Sequence, residues 1–178
     1  ALERSLVGHD KSPLLLVDFG ATTTIMSVVV ASVPFINRSV NLGGDTITKT
    51  LATGLNIDVV RAEQLKRDFG LSEEIGGSQI PRRIEFMLTT LVNEIRYVLN
   101  LWSQESSIPV EKVVLSGGSS FLPSLVLYLE RTLGTKVILG DPWARVMYPE
   151  ELRPVLAEVA PRFSVSVGLA MRDIIHAS

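Results

Sequence analysis

The run Leu14–Gly20, LLLVDFG, constrains this chain more than any other segment. Four consecutive apolar residues end in Asp-x-Gly and then in three threonines, Thr22–Thr24. A short apolar run of this kind reads as a strand buried on both faces. The glycine permits a tight turn at its end that an ordinary side chain hinders. Thr23–Ala31, rich in Thr, Ile and Val, reads as the returning strand. A turn at Ser32–Pro34 leads to a third strand, Phe35–Val40. Three strands with such short connections form a meander, which anchors the rest of the fold.

After Val40 the period changes. Gly43, Gly44 and Asp45 precede a helix, with Asp45 as the expected N-cap and Gly54 as the expected stop. Asp58 is placed to cap a second helix that ends near Gly70. Leu71–Ile80, with Gly76, Gly77 and Ser78, reads as a loop. From Pro81, Ile84, Leu88, Leu91, Ile95, Leu99 and Trp102 recur every three or four residues, the stripe of a long amphipathic helix. Lys112–Ser116 is a second buried strand, broken by Gly117 and Gly118. A helix over Leu122–Leu133 stops at Gly134, and Lys136–Leu139 is a short strand. A Pro-rich stretch with a short helix after Pro149 leads to a last helix from Pro161 to Ile175. Ala1–Val7 reads as the tail of a helix. Strands and helices thus share one core, and the fold class is α/β.

Composition narrows the function. The 178 residues are 46% hydrophobic and 20% charged, which suits a globular domain with a sizeable core. A formal net charge of -2 provides no general attraction for nucleic acid. The lack of cysteine removes thiol chemistry and disulfides, and fits a cytoplasmic setting. No stretch approaches the roughly 20 apolar residues of a membrane span.

Three groups of residues carry chemistry. At the end of the first strand, the amides and hydroxyls of Gly20, Ala21, Thr22, Thr23 and Thr24 can face phosphate oxygens. The Asp18 carboxylate can hold the hydration shell of Mg²⁺ or orient a water. Read alone, a plain Asp-x-Gly hairpin fits equally well. Gly117, Gly118, Ser119 and Ser120, between a strand and a helix, let backbone approach a flat or anionic ligand; a tight β-α turn favours the same residues. Glu63 and Lys66 are three apart and share a helical face, where an acceptor and a donor could address ribose hydroxyls. By themselves they are an ordinary solvated pair. His9 and His176 have no evident catalytic partner. Glu73–Glu74, Glu150–Glu151 and Arg82–Arg83 read as solvated, and Trp102 and Trp143 as packing residues.

The ordered set VDFGATTT, NLGGDTITKTLA, AEQLK, VVLSGGSSFLPSL and FSVSVGLAM resembles the actin-like ATPases over about Pro13–Asp173. The run LVNEIRYVLNLW resembles the PilM family of type IV pilus assembly proteins, with the cell-division protein FtsA a near relative. The resemblance implies a ribonuclease H-like lobe with a mixed sheet, built from the meander plus β-α units and flanked by helices. Residues 1–178 would form the second lobe of such a protein, subdomain IIA with a short IIB-like insertion at about 43–80. The expected chain is a fragment lacking the N-terminal lobe.

The resemblance further implies ATP and Mg²⁺ as cofactors. Asp18 would lie at the Mg²⁺–phosphate region, and Gly20 with Thr22–Thr24 around the β- and γ-phosphates. Glu63 and Lys66 would meet ribose or adenine, and Gly117–Ser120 would line the adenosine pocket. Gly168 would allow close packing of the last helix. The implied role is an ATP-binding scaffold of type IV pilus or type II secretion assembly, with weak or no hydrolysis and no activity in this chain alone. It would sit at the cytoplasmic face of the inner membrane, reaching the membrane through partners only. The implied partners are a cytoplasmic peptide of an inner-membrane pilus assembly protein and further copies in a homo-oligomer. An FtsA-like protein, a kinase of the superfamily and a nucleotide-free interaction module are the alternatives.

Overall fold

In the computed structural model, which describes residues 1–7, 11–72 and 79–172, five strands form one mixed sheet. They are β1 (Leu14–Phe19), β2 (Thr24–Val30), β3 (Val33–Val40), β4 (Lys112–Ser116) and β5 (Lys136–Leu139). The order is β3-β2-β1-β4-β5; the first three strands are antiparallel, and β1, β4 and β5 run parallel. The meander and the added β-α units are both present. β1 is apolar throughout because both of its faces are covered. Leu15, Val17 and Phe19 enter one core, while Leu14 and Leu16 enter the other.

The larger core lies under α2 (Gly44–Leu55), α3 (Val59–Phe69), α4 (Gln79–Glu105) and α5 (Leu125–Leu133). The α4 stripe supplies Ile84, Leu88, Leu91 and Ile95, all essentially inaccessible to solvent. Each such side chain stabilises the fold by about 2–5 kcal/mol relative to alanine. The other face is covered by α1 (Leu2–Leu6) and α6 (Arg153–Ala170), where the Ser5 hydroxyl donates to the Ser164 carbonyl at 2.8 Å. Gly168 meets the backbone of Ala1, so any side chain there would overlap it. Trp102 and Trp143 are packing residues, donating to the carbonyls of Ile108 and Leu156.

Several boundaries differ from the sequence reading. β3 starts at Val33, because Ala31 and Ser32 adopt left-handed conformations and make the two-residue turn. α2 is capped by Gly43; Asp45 sits in its first turn, where a carboxylate suits the positive end of the helix dipole. That helix ends at Leu55 on a left-handed Asn56, not at Gly54. The expected helix from Leu122 is a 3-10 turn over Gly118–Phe121, a break at the left-handed Ser124, and then α5. Pro123 lies in that break.

α4 begins at Gln79 and takes Pro81 in its first turn. The largest difference is α6, one helix from Arg153 with Pro161 inside it. The Pro161 carbonyl accepts from the Gly117 amide at 2.9 Å and the Ser116 hydroxyl at 3.2 Å. The proline therefore docks α6 on the end of β4. Glu150 and Glu151 lie exposed in a short 3-10 turn, and Glu150 pairs with Arg153. His9, Glu73, Glu74, Gly76, Gly77, Ser78, Ile175 and His176 lie outside the described residues. No described helix is long and apolar enough to cross a membrane.

Candidate functional site

β1 and β4 are parallel neighbours whose chains leave in different ways, β1 into a hairpin and β4 toward α5. Ligands of open α/β sheets collect beyond the C-terminal ends of such strands. Asp18 and Ser116 face each other in the β1–β4 register at this end. Gly117 follows with φ +85, and a Cβ there would press on Asp18 Oδ1 and the Phe19 carbonyl. Only glycine satisfies both the dihedral and the space.

Three loops are tied together here. The Gly20 carbonyl accepts from the Gly44 amide at 3.0 Å and from the Ser119 hydroxyl at 2.8 Å. The Ala21 carbonyl accepts from the Asp45 amide at 2.8 Å. Gly43 lies so close to Ala21 and Thr22 that a Cβ would collide with their backbone. The hairpin, the start of α2 and the turn after β4 are thus one unit.

Next to this unit is a cleft of about 460 Å³. One side is formed by Gly44, Asp45, Ile47, Glu63, Lys66 and Arg67, and the other by Gly118, Ser119, Phe121 and Leu122, with Glu158 and Arg162 from α6. Of the residues singled out from sequence, Ala21, Glu63, Lys66, Gly118 and Ser119 line it. The others lie beside or behind it. The Thr24 hydroxyl is buried and donates to the Leu42 carbonyl at 2.6 Å, and Ser120 donates to Gly117 at 2.7 Å. The Gly20 amide is used by Thr23. At the hairpin tip, Ala21 and Thr22 are exposed and Thr23 is half-buried. The amides of Ala21, Thr22 and Thr23 donate to no acceptor among the described residues.

Charge in the site is arranged unequally. Among the described residues the Asp18 carboxylate has no hydrogen-bond partner, and burial pushes its pKa above the ordinary value. Burial also pulls Glu63 upward. Hydrogen bonds from Lys66, Thr48 and Arg67 outweigh it and hold Glu63 below the usual carboxylate value. The Glu63–Lys66 and Glu63–Arg67 distances are 2.7 and 2.8 Å. No cluster of His, Asp and Glu suited to a metal occurs among the described residues.

Sequence reasoning missed Phe121, Arg67, Glu158 and Arg162. The Arg162 guanidinium carbon stands 5.6 Å from the Phe121 ring centroid, a cation–π distance. The spacing of Glu158 and Arg162, one helical turn apart, was the available signal. Reading the last helix from Pro161 hid it.

The family described as type IV pilus assembly protein PilM matches residues 4–174. A solved PilM–PilN type IV pilus biogenesis complex is similar to the chain at 29% identity and TM-score 0.81, covering 96% of this chain and 48% of that one. Cell division protein FtsA of Agrobacterium fabrum is 29% identical over 86% of this chain and 38% of its own length. MreB5 of Spiroplasma citri bound to AMPPNP shares the fold, with TM-score 0.71 at 13% identity, over 99% of this chain and 57% of that one. The chain therefore has the actin-like ATPase fold and spans about half or less of the length of the FtsA and PilM relatives.

Proposed function

The chain belongs to the type IV pilus assembly protein PilM family, and from that footing we propose that it forms one wall of an ATP site in a pilus-assembly scaffold. A second lobe would supply the other wall, a reading supported by the 48% coverage of the PilM chain. Such a site lets a nucleotide bias the closure of two lobes without fast chemistry.

The observation that carries this reading is the cleft beside three unpartnered amides and an uncompensated carboxylate. The amides of Ala21, Thr22 and Thr23 suit phosphate oxygens. Asp18 suits the hydration shell of Mg²⁺, which is ordinarily held by one or two carboxylates together with phosphates. Glu63, with two oxygens able to accept further bonds, suits ribose hydroxyls. Gly118 and Phe121 provide open and flat surface for a base. Bound Mg²⁺ would offset the charge of the phosphates. The protein's own part is to position these groups and to hold Asp18 in readiness.

The similarity to a PilM–PilN complex supports a PilN-type cytoplasmic peptide as partner. That places the working location at the cytoplasmic face of the inner membrane, reached through the partner. The FtsA relatives, at 25–29% identity, favour a second reading as a cell-division scaffold with the same site.

Isothermal titration of the full-length protein with Mg-ATP tests the proposal. Saturable binding is expected, weakened at least about tenfold by Asp18→Ala, the scale of a lost charged contact. Absence of binding, or binding indifferent to Asp18→Ala, contradicts it. A ligand at about 100 times its Kd must also raise stability by about 2.7 kcal/mol. A nucleotide-free interaction module would show no such rise.

A further inference from the structure

The cation that the sequence offers to a ligand is already committed inside the protein. Lys66 Nζ contacts the Gly44 carbonyl at 3.1 Å, Thr48 Oγ1 at 2.8 Å and Glu63 Oε2 at 2.7 Å. An ammonium has three protons to donate, and all three have acceptors here. The residue is 9% exposed. The dipole at the start of α2 is positive and does not attract an ammonium. The oxygens of Gly44, Thr48 and Glu63 are what hold it there.

Those contacts continue toward the hairpin. The Gly44 amide donates to Gly20 and the Asp45 amide to Ala21. Gly44 has no space for a side chain, since a Cβ would collide with Ser119 Oγ and lie 3.2 Å from Lys66 Nζ. A connected path therefore runs from α3 through the first turn of α2 to the backbone that presents Ala21, Thr22 and Thr23. Thr48, 4% exposed and absent from the cleft wall, braces the middle of this path and also hydrogen-bonds Glu63.

We infer that Lys66 is a positioning residue: it clamps the first turn of α2 and thereby sets the hairpin amides for phosphate, rather than bonding the ribose. This rests on the nucleotide reading above for its ligand, but the clamp exists without one.

The test uses full-length protein and the variants Lys66→Met and Thr48→Val. Amide exchange at Gly20 is measured without nucleotide, and titrations use Mg-ATP and adenosine. Both variants should exchange the Gly20 amide faster. Both should lose about tenfold in Mg-ATP affinity and less than about twofold for adenosine, since supporting contacts act on the group they orient. Equal losses for Mg-ATP and adenosine would place Lys66 on the nucleoside and overturn the inference. Unchanged Gly20 exchange in both variants would overturn it as well. Should Lys66→Met not fold, Thr48→Val decides, because its side chain reaches no ligand. Wild-type protein that binds neither probe contradicts the nucleotide reading, and Gly20 exchange alone then upholds or overturns the clamp.

Discussion

The Ser119 hydroxyl donates to the Gly20 carbonyl at 2.8 Å, joining residues 99 positions apart in the chain. This bond closes the β1–β2 hairpin onto the turn after β4. The phosphate end and the nucleoside end of the proposed site are thereby held at fixed separation. Ser119→Ala should destabilise the folded protein by about 1 kcal/mol, the net worth of one such bond. Urea denaturation of the variant against wild type checks this.

Gly43 and Gly117 are expected to tolerate no side chain. A Cβ at Gly43 meets the backbone of Ala21 and Thr22, which cannot rotate away. At Gly117 the positive φ adds strain to a collision with Phe19 and Asp18. Gly43→Ala and Gly117→Ala should each cost about 1–3 kcal/mol, the usual range for forced overpacking. Gly134→Ala, which meets nothing within 4 Å, should cost less despite its φ of +67. Thermal unfolding of the three variants ranks them.

Asp18 should show a tension between stability and binding. Its folded pKa lies above the ordinary 3.8 because burial disfavours the carboxylate. In the window from 3.8 up to the raised value, the folded state binds more protons than the unfolded state. Stability from this group is therefore fully present below that window and is lost as pH rises through it. Asp18→Asn should stabilise nucleotide-free protein at neutral pH, and the gain should vanish on acidification. The same variant should lose the stabilisation by Mg-ATP. Melting curves across pH, with and without Mg-ATP, test both halves.

Glu63 runs the other way. Its folded pKa is held below 4.5, so its contribution is present at neutral pH and is lost as pH falls through the lowered value. Glu63→Gln should weaken nucleotide binding while its effect on stability shrinks in acid. Paired titrations and denaturation curves at neutral and acid pH separate the two.

The fold was legible where local pattern and burial coincide. Leu14–Phe19 and Lys112–Ser116 read as strands because both faces are covered, and Ile84–Trp102 as a helix because one stripe is. Legibility failed where a long-range contact overrode a local signal. Pro161 reads as a helix start, yet it lies inside α6 with its carbonyl anchored to β4. Ala31 and Ser32 have no glycine or asparagine to announce their turn, and pairing of β2 with β3 imposes it. In the site, Ala21, Gly118 and Ser119 were visible through turn chemistry. Phe121 and Arg162 meet only after α6 packs, so no short window contains their relationship. Thr24 and Ser120 belong to the expected motifs, but which hydroxyls turn inward depends on Leu42 and Gly117, settled only by the tertiary fold.

The central claim is that the cleft between α3 and the turn after β4 takes an adenine nucleotide. A crystal structure of the full-length protein grown with a Mg²⁺-bound, non-hydrolysable ATP analogue tests it most directly. The account predicts density with the phosphates at Ala21–Thr23, Asp18 facing the ion through water, and the nucleoside against Glu63, Gly118 and Phe121. A cleft without nucleotide at saturating analogue, or a nucleotide bound elsewhere, would contradict it.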